Sequence, residues 1–118
     1  MKDCIFCKII AGEIPSTKVY EDGEMVVFRD IAPLAKIHLL CVPKEHFAYL
    51  SELDDSRAEL LGRMMKKIAE KKEQWGLSEG YRLVINQGEN AGQTVRHLHI
   101  HILGGQKLVF RDFTAQND

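Results

Sequence analysis

Three histidines stand at alternate positions late in the chain: His97, His99 and His101, in the run Val95-Arg96-His97-Leu98-His99-Ile100-His101-Ile102. Alternate residues of a β-strand face the same way, about 6.5–7 Å apart. Such a strand presents three imidazoles on one face and Leu98, Ile100 and Ile102 on the other. The apolar set belongs in a core. Imidazole titrates near neutral pH, so it can serve as nucleophile, base or acid. A surface strand with incidental histidines is the bland alternative, and three on one face argue against it. The spacing leaves covalent catalysis and a metal-binding cluster both open.

Two further groups of residues could take part. Gly88-Glu89-Asn90-Ala91-Gly92-Gln93-Thr94 precedes the histidines and offers flexible backbone, N–H groups, an amide and a hydroxyl. Alone it reads as a hairpin loop; beside three histidines it reads as a cradle for phosphate oxygens. Cys4-x-x-Cys7 is a common zinc half-site. Two buried thiols or a redox pair are the alternatives, the latter disfavoured because no strand precedes the pair. Cys41 lies in an apolar stretch and reads as core.

These residues need a scaffold, and the chain supplies signals for one. Cys4 to Ala11 reads as a short helix stopped by Gly12. Lys18–Glu21 and Met25–Phe28 read as strands joined by an Asp22-Gly23 turn. Ile37 to Val42 is a third strand, closed by Pro43. Ser51-Glu52-Leu53-Asp54 resembles a capping box. The helix after it carries Leu61, Met64, Met65, Ile68 and Trp75 on one face and ends at Gly76. Its Lys66-Lys67 and Lys71-Lys72 pairs read as a solvated face. Tyr81 to Asn86 and Thr94 to Leu103 complete five strands. The expected class is α+β: an antiparallel sheet with one long helix and one short one.

The whole chain sets the bounds. With 118 residues it is expected to form one domain, residues 1–118. Hydrophobic content is 45% and charged content 28%, as in a soluble globular protein. A formal net charge of -1 gives no general attraction to nucleic acid or anionic membrane. The start lacks an apolar leader, and no run reaches the roughly 18 apolar residues of a membrane span. Three cysteines cannot all pair within the chain, so a reducing compartment, the cytoplasm, is expected.

Read together, the motifs resemble the histidine triad (HIT) family, and within it the Hint branch of purine nucleoside phosphoramidases. The resemblance runs over nearly the whole chain. Cys4-Ile5-Phe6-Cys7-Lys8-Ile9-Ile10 and Glu13-Ile14-Pro15 match the family's opening. Phe28-Arg29-Asp30-Ile31 with Pro33 matches its ribose-binding segment. His38 to Val42, Pro43-Lys44 and His46 match its central strand and exit. Ala91-Gly92-Gln93-Thr94 and His97 through Gly105 match its active site, the most specific stretch.

The resemblance implies a five-stranded antiparallel sheet in each protomer and a homodimer with a sheet continuous across the interface. It implies cleavage at the α-phosphate of a purine nucleotide, with His99 as the nucleophile that carries the nucleotidyl group. His101 and His38 match positions that orient the nucleophile and contact phosphate. Asn86, Gly92, Gln93 and Thr94 match the phosphate site. Asp30 matches the carboxylate that binds both ribose hydroxyls, and Phe6, Ile9, Ile14, Phe28 and Ile31 match the purine pocket. Members with the opening cysteine pair resemble zinc binders using the positions of Cys4, Cys7, His46 and His97. The resemblance thus implies a structural zinc, with no metal required for catalysis.

There are departures. Thr94 stands where serine is commoner, Arg96 where an aromatic is usual, and Gln106 where a basic residue often follows the glycines. The tail, 107–118, lacks a tryptophan-proline ending. Leaving-group choice is therefore the open part. A dinucleoside polyphosphate hydrolase of the Fhit type is the nearest alternative, and Gly104-Gly105 weighs against it. A nucleotide-binding or scaffold protein with incidental catalysis is the other.

Overall fold

In the computed structural model, residues 3–110 are described. Residues 1–2 and 111–118, the latter most of the tail, lie outside them. The elements run α1 (Ile5–Ile10), β1 (Lys18–Glu21), β2 (Met25–Arg29), β3 (Ile37–Pro43), α2 (Asp55–Glu70), β4 (Tyr81–Val84) and β5 (Ile100–Gly104). The five strands form one antiparallel sheet in the order β1-β2-β3-β5-β4. The α+β architecture expected from the sequence is the one observed. Among the described residues no helix is long and apolar enough to cross a membrane.

Strand alternation builds a core on each face of the sheet. Met25, Val27, Leu39, Cys41, Ile100 and Ile102 pack toward Leu60, Met64 and Ile68 of α2. Val26, Phe28, Leu40 and Val42 pack toward Phe6 and Ile9 of α1. Burying one large aliphatic side chain is worth roughly 1.5–3 kcal/mol, so the α2 face carries much of the stability. Leu98 belongs with this core too, as expected.

Several boundaries differ from the sequence reading. The long helix ends at Glu70, and residues 71–76 continue as turns to Gly76. Its N-cap is Asp54, whose carboxylate accepts from the Arg57 N–H at 2.8 Å. The Ser51 capping box does not form there; Glu52 instead accepts from the Ala48 and Tyr49 N–H groups, closing a separate single turn. The buried face is Leu60, Met64 and Ile68, while Met65 is 42% exposed. Leu60, Met64 and Ile68 follow one another at four-residue spacing and form the stripe that meets the sheet, and Met65 stands off that stripe.

β4 stops at Val84, and β5 begins at Ile100 instead of Thr94. The chain from Thr94 to His99 thus lies outside the ladder, with bends at Val95, Arg96 and His97, so of the three histidines only His101 stands on a paired strand. Gly104 and Gly105 have a packing reason to be glycine. A Cβ on Gly104 would lie 2.6 Å from Leu77, and one on Gly105 2.6 Å from Ile37, where φ is also +78°.

Candidate active site and metal centre

The α1 face of the sheet collects the histidines. His38 and Leu40 alternate onto this face of β3, and Leu40 stands opposite His101 of β5. His38 is therefore the diagonal neighbour of His101. His38 is 3% exposed, His97 0%, His99 2% and His101 2%. These are interior groups, so a surface strand with incidental histidines is ruled out.

Buried imidazoles need definite tautomers, and the backbone supplies them. The Leu34 N–H donates to Nδ1 of His38 at 3.0 Å, so His38 carries its hydrogen on Nε2. That nitrogen lies 2.9 Å from Nδ1 of His101 and 3.4 Å from Oδ2 of Asp30. His101 Nδ1 then accepts, which places the His101 hydrogen on Nε2. In His99 the order is reversed. Its Nδ1–H donates to the His97 carbonyl at 2.7 Å, so Nε2 holds the lone pair. His99 and His101 sit with ring centroids 5.0 Å apart. The arrangement sets a basic, nucleophilic nitrogen beside a ring that offers an N–H.

One contact has no signal in the sequence pattern. The Phe6 ring meets His99 edge-on, with centroids 5.0 Å apart and planes at 85°, and also touches His97 and Phe28. Phe6, Ile9 and Phe28 are buried together, with Ile14 at the edge of the cluster. Ile31 is fully exposed on the loop after β2. Asp30 next to it accepts the Ala32 N–H through Oδ1 at 2.8 Å and faces His38 through Oδ2. A carboxylate has about four lone-pair sites, so Asp30 keeps capacity for further donors.

The loop before the histidines is built differently from a simple phosphate cradle. The N–H groups of Ala91, Gly92 and Gln93 donate to the carbonyls of Gly88 and Glu89 at 3.0–3.2 Å. The buried Gln93 amide accepts from Gly88 N–H at 2.8 Å and donates to Ala48 O at 3.0 Å. Gln93 thus pins the loop to the segment after β3. Thr94 follows at an exposed position. Asn86 lies two residues beyond Val84, which stands opposite His101.

The four residues Cys4, Cys7, His46 and His97 come together and could hold a metal ion. His97 donates from Nε2 to the Pro43 carbonyl at 2.7 Å, which leaves the Nδ1 lone pair facing the cluster. Burial pushes the His97 ring down to about 4, so it is neutral at pH 7. Its Nδ1 is 3.3 Å from Cys4 Sγ, 3.6 Å from Cys7 Sγ and 3.1 Å from His46 Nδ1; Cys7 Sγ is 3.3 Å from His46 Nδ1. Ligand bonds of about 2.0–2.3 Å in a tetrahedron give edges of roughly 3.3–3.8 Å. Donor types and spacing both fit a closed metal site. Asp30, His38 and His101 also lie close enough to share an ion. Their backbone and mutual hydrogen bonds already account for that grouping. Cys41 is fully buried, and burial pushes its thiol up to about 12, as a core residue requires.

The fold and its paired, tautomer-fixed histidines define an α+β protein of the histidine-triad class. The HIT domain matches residues 11–108. The chain is 53% identical to "Protein HitA" of Neisseria gonorrhoeae over 104 residues, 88% of this chain and 97% of that one. Its fold superposes on a HIT family hydrolase from Legionella pneumophila with a TM-score of 0.88 at 44% identity, covering 93% of this chain and 99% of the other. It is similar to a histidine triad nucleotide-binding protein from Candida albicans, with a TM-score of 0.76, 37% identity and 85% and 73% coverage. The chain belongs to the HIT family.

Proposed function

We propose that this protein hydrolyses purine nucleoside phosphoramidates at the α-phosphate, through a nucleotidyl group carried on His99. The observation that carries the reading is the tautomer of His99: Nδ1 is tied to the His97 carbonyl and Nε2 holds the lone pair. In the first step Nε2 attacks phosphorus, the phosphorus–nitrogen bond breaks, and the amine leaves with a proton from solvent. Water then breaks the histidine–phosphorus bond and releases the nucleoside monophosphate. His101, kept as an Nε2–H donor by His38, holds a phosphate oxygen as charge shifts onto it. Thr94 and Asn86 border the phosphate, and Asp30 takes the ribose hydroxyls. Ile14, Phe28 and Ile31 contact the base. Phe6 and Ile9 back that pocket.

A nucleotide role is supported by the Candida albicans protein, which is named for nucleotide binding, and a hydrolase role by the Legionella protein. Turnover of an adenosine phosphoramidate beside diadenosine polyphosphates tests the reading. Preference for the polyphosphates would favour the alternative hydrolase, and turnover of neither would favour a binding protein.

Zinc is the ion we assign to Cys4, Cys7, His46 and His97, because two cysteine sulfurs and two imidazole nitrogens in a closed site suit it. It would tie α1 to the segment before β5 and has no part in the chemical steps. A homodimer fits the open edge of β4, the last strand in the sheet order, where a second copy could extend the sheet. Light scattering at micromolar concentration would detect it.

A further inference from the structure

The opposite face of the sheet carries a cleft of about 330 Å³ between β1–β3 and the turns after α2. That is within the roughly 300–1,000 Å³ range of small-molecule sites. Val19, Ile37 and Leu39 line its apolar part, Tyr20 and Trp75 supply aromatic walls, and Arg29, Lys71 and Gln74 stand around it. It shares no lining residue with the histidine site.

Three features set this cleft apart from an ordinary seam. First, the β1–β2 register slips between Lys18 and Tyr20, a bulge. The consecutive residues Val19 and Tyr20 both pack on the α2 side as a result. A regular strand would send one of them to the other face, and bulges commonly re-aim side chains in this way.

Second, positive charge is concentrated here although the chain's net charge is -1. Lys67 and Lys71, one helical turn apart, both place Nζ 5.5 Å from the centre of the Tyr20 ring. Like charges at this spacing repel. Glu70 lies 3.4 Å from Lys67, but among the described residues Arg29 has no carboxylate partner. Third, the Tyr20 hydroxyl is tied to Asp22 at 2.7 Å, which holds the ring in place at the cleft wall, with the Trp75 ring centroid 6.3 Å away.

We propose that this cleft binds a small aromatic anion, with its ring against Trp75 and Tyr20 and its carboxylate or phosphate on Arg29 and Lys71. An arginine fork accepts either group in bidentate fashion, and a lysine adds a point charge. Apolar walls alone would suit a neutral ring; the Arg29 guanidinium, with no carboxylate partner among the described residues, is what favours an anion.

Trp75 is the only tryptophan in the chain, so its fluorescence and its indole N–H resonance report on this cleft directly. The probes are benzoate, phenyl phosphate, inorganic phosphate and benzyl alcohol. A saturable change at Trp75 is expected with at least one aryl anion, and the responding arm tells carboxylate from phosphate. Arg29→Gln with Lys71→Gln should weaken that binding about tenfold or more. Both side chains are at the cleft surface, and circular dichroism checks that the variant is folded. His99→Ala should leave the Trp75 response intact. No saturable response to either aryl anion would overturn the proposal. So would an equal response to benzyl alcohol or to inorganic phosphate. Binding that survives the double substitution, or that disappears with His99→Ala, would also place the ligand elsewhere.

Discussion

The Nδ1–H of His99 donates to the main-chain carbonyl of His97 at 2.7 Å, while the His97 ring donates from Nε2 to Pro43 and turns Nδ1 toward two cysteines. One residue therefore serves two sites. Its carbonyl fixes the tautomer of the proposed nucleophile, and its ring belongs to the metal-type cluster. Chemistry and structural support are joined at His97.

His99→Ala is expected to lower phosphoramidate turnover by several orders of magnitude with nucleotide binding largely kept. Chemical steps need the Nε2 lone pair, whereas binding rests on other groups. Mass spectrometry of the rapidly quenched enzyme should place the nucleotidyl group on His99. Wild-type turnover by the variant, or an adduct elsewhere, would refute the assignment.

His38→Phe should lower kcat about 10–1,000-fold and change KM little. The substitution removes the Nε2–H that fixes His101 as an Nε2–H donor. The nitrogen chemical shifts of His101, measured by NMR, should show its tautomer mixing. An unchanged tautomer with unchanged kcat would end this account of the pair.

Asp30→Ala should weaken ribonucleotides about tenfold or more and 2′-deoxynucleotides much less, since hydrogen bonds to a charged group contribute roughly 1.5–3 kcal/mol. Because Oδ2 also faces His38 at 3.4 Å, a moderate fall in kcat should accompany the loss. Equal weakening of both ligands, measured by calorimetry, would show that Asp30 does not face the sugar.

Protein purified without chelator should contain about one zinc per protomer. Cys4→Ser with Cys7→Ser should lose it and melt several degrees lower while keeping much of the activity. A metal-free wild type whose melting temperature ignores added zinc would rule the ion out.

Cys41 should resist alkylation in the folded protein at pH 8, whereas Cys4 and Cys7 should react once a chelator is present. Burial, with a smaller contribution from the Asp22 charge, raises the Cys41 thiol from 9.0 to about 12. The sign follows for stability. The unfolded chain ionises this thiol first, so its contribution is complete below pH 9.0 and is lost as pH rises toward about 12. Alkylation of all three cysteines in the chelated, folded protein would contradict this burial.

Much of the fold was legible because local chemistry and periodicity agree. The Asp22-Gly23 turn, the alternation of His38, Leu40 and Val42, and the glycine after α1 each state a conformation within a few residues. The positions of Cys4, Cys7, His46 and His97 were legible through resemblance to a family, since the spacing alone left a redox pair open. The extents of α2 and β5 were not legible. Leu60 and Met65 are both apolar on paper, and packing against the sheet decides which one is buried.

The sequence by itself determined that three histidines alternate with apolar residues, that the strands form one antiparallel sheet, and that Cys4 and Cys7 have the spacing of a metal half-site. These are consequences of chemistry and of a period of two, which local order preserves. Only the tertiary structure decided which nitrogen of each ring holds the hydrogen. The deciding groups are the Leu34 N–H and the carbonyls of His97 and Pro43, backbone atoms that every sequence possesses. It also decided that Gln93 spends its amide on the loop and that Phe6 rests on His99. Such contacts join residues distant along the chain, and no residue type or spacing encodes them until the sheet brings them together.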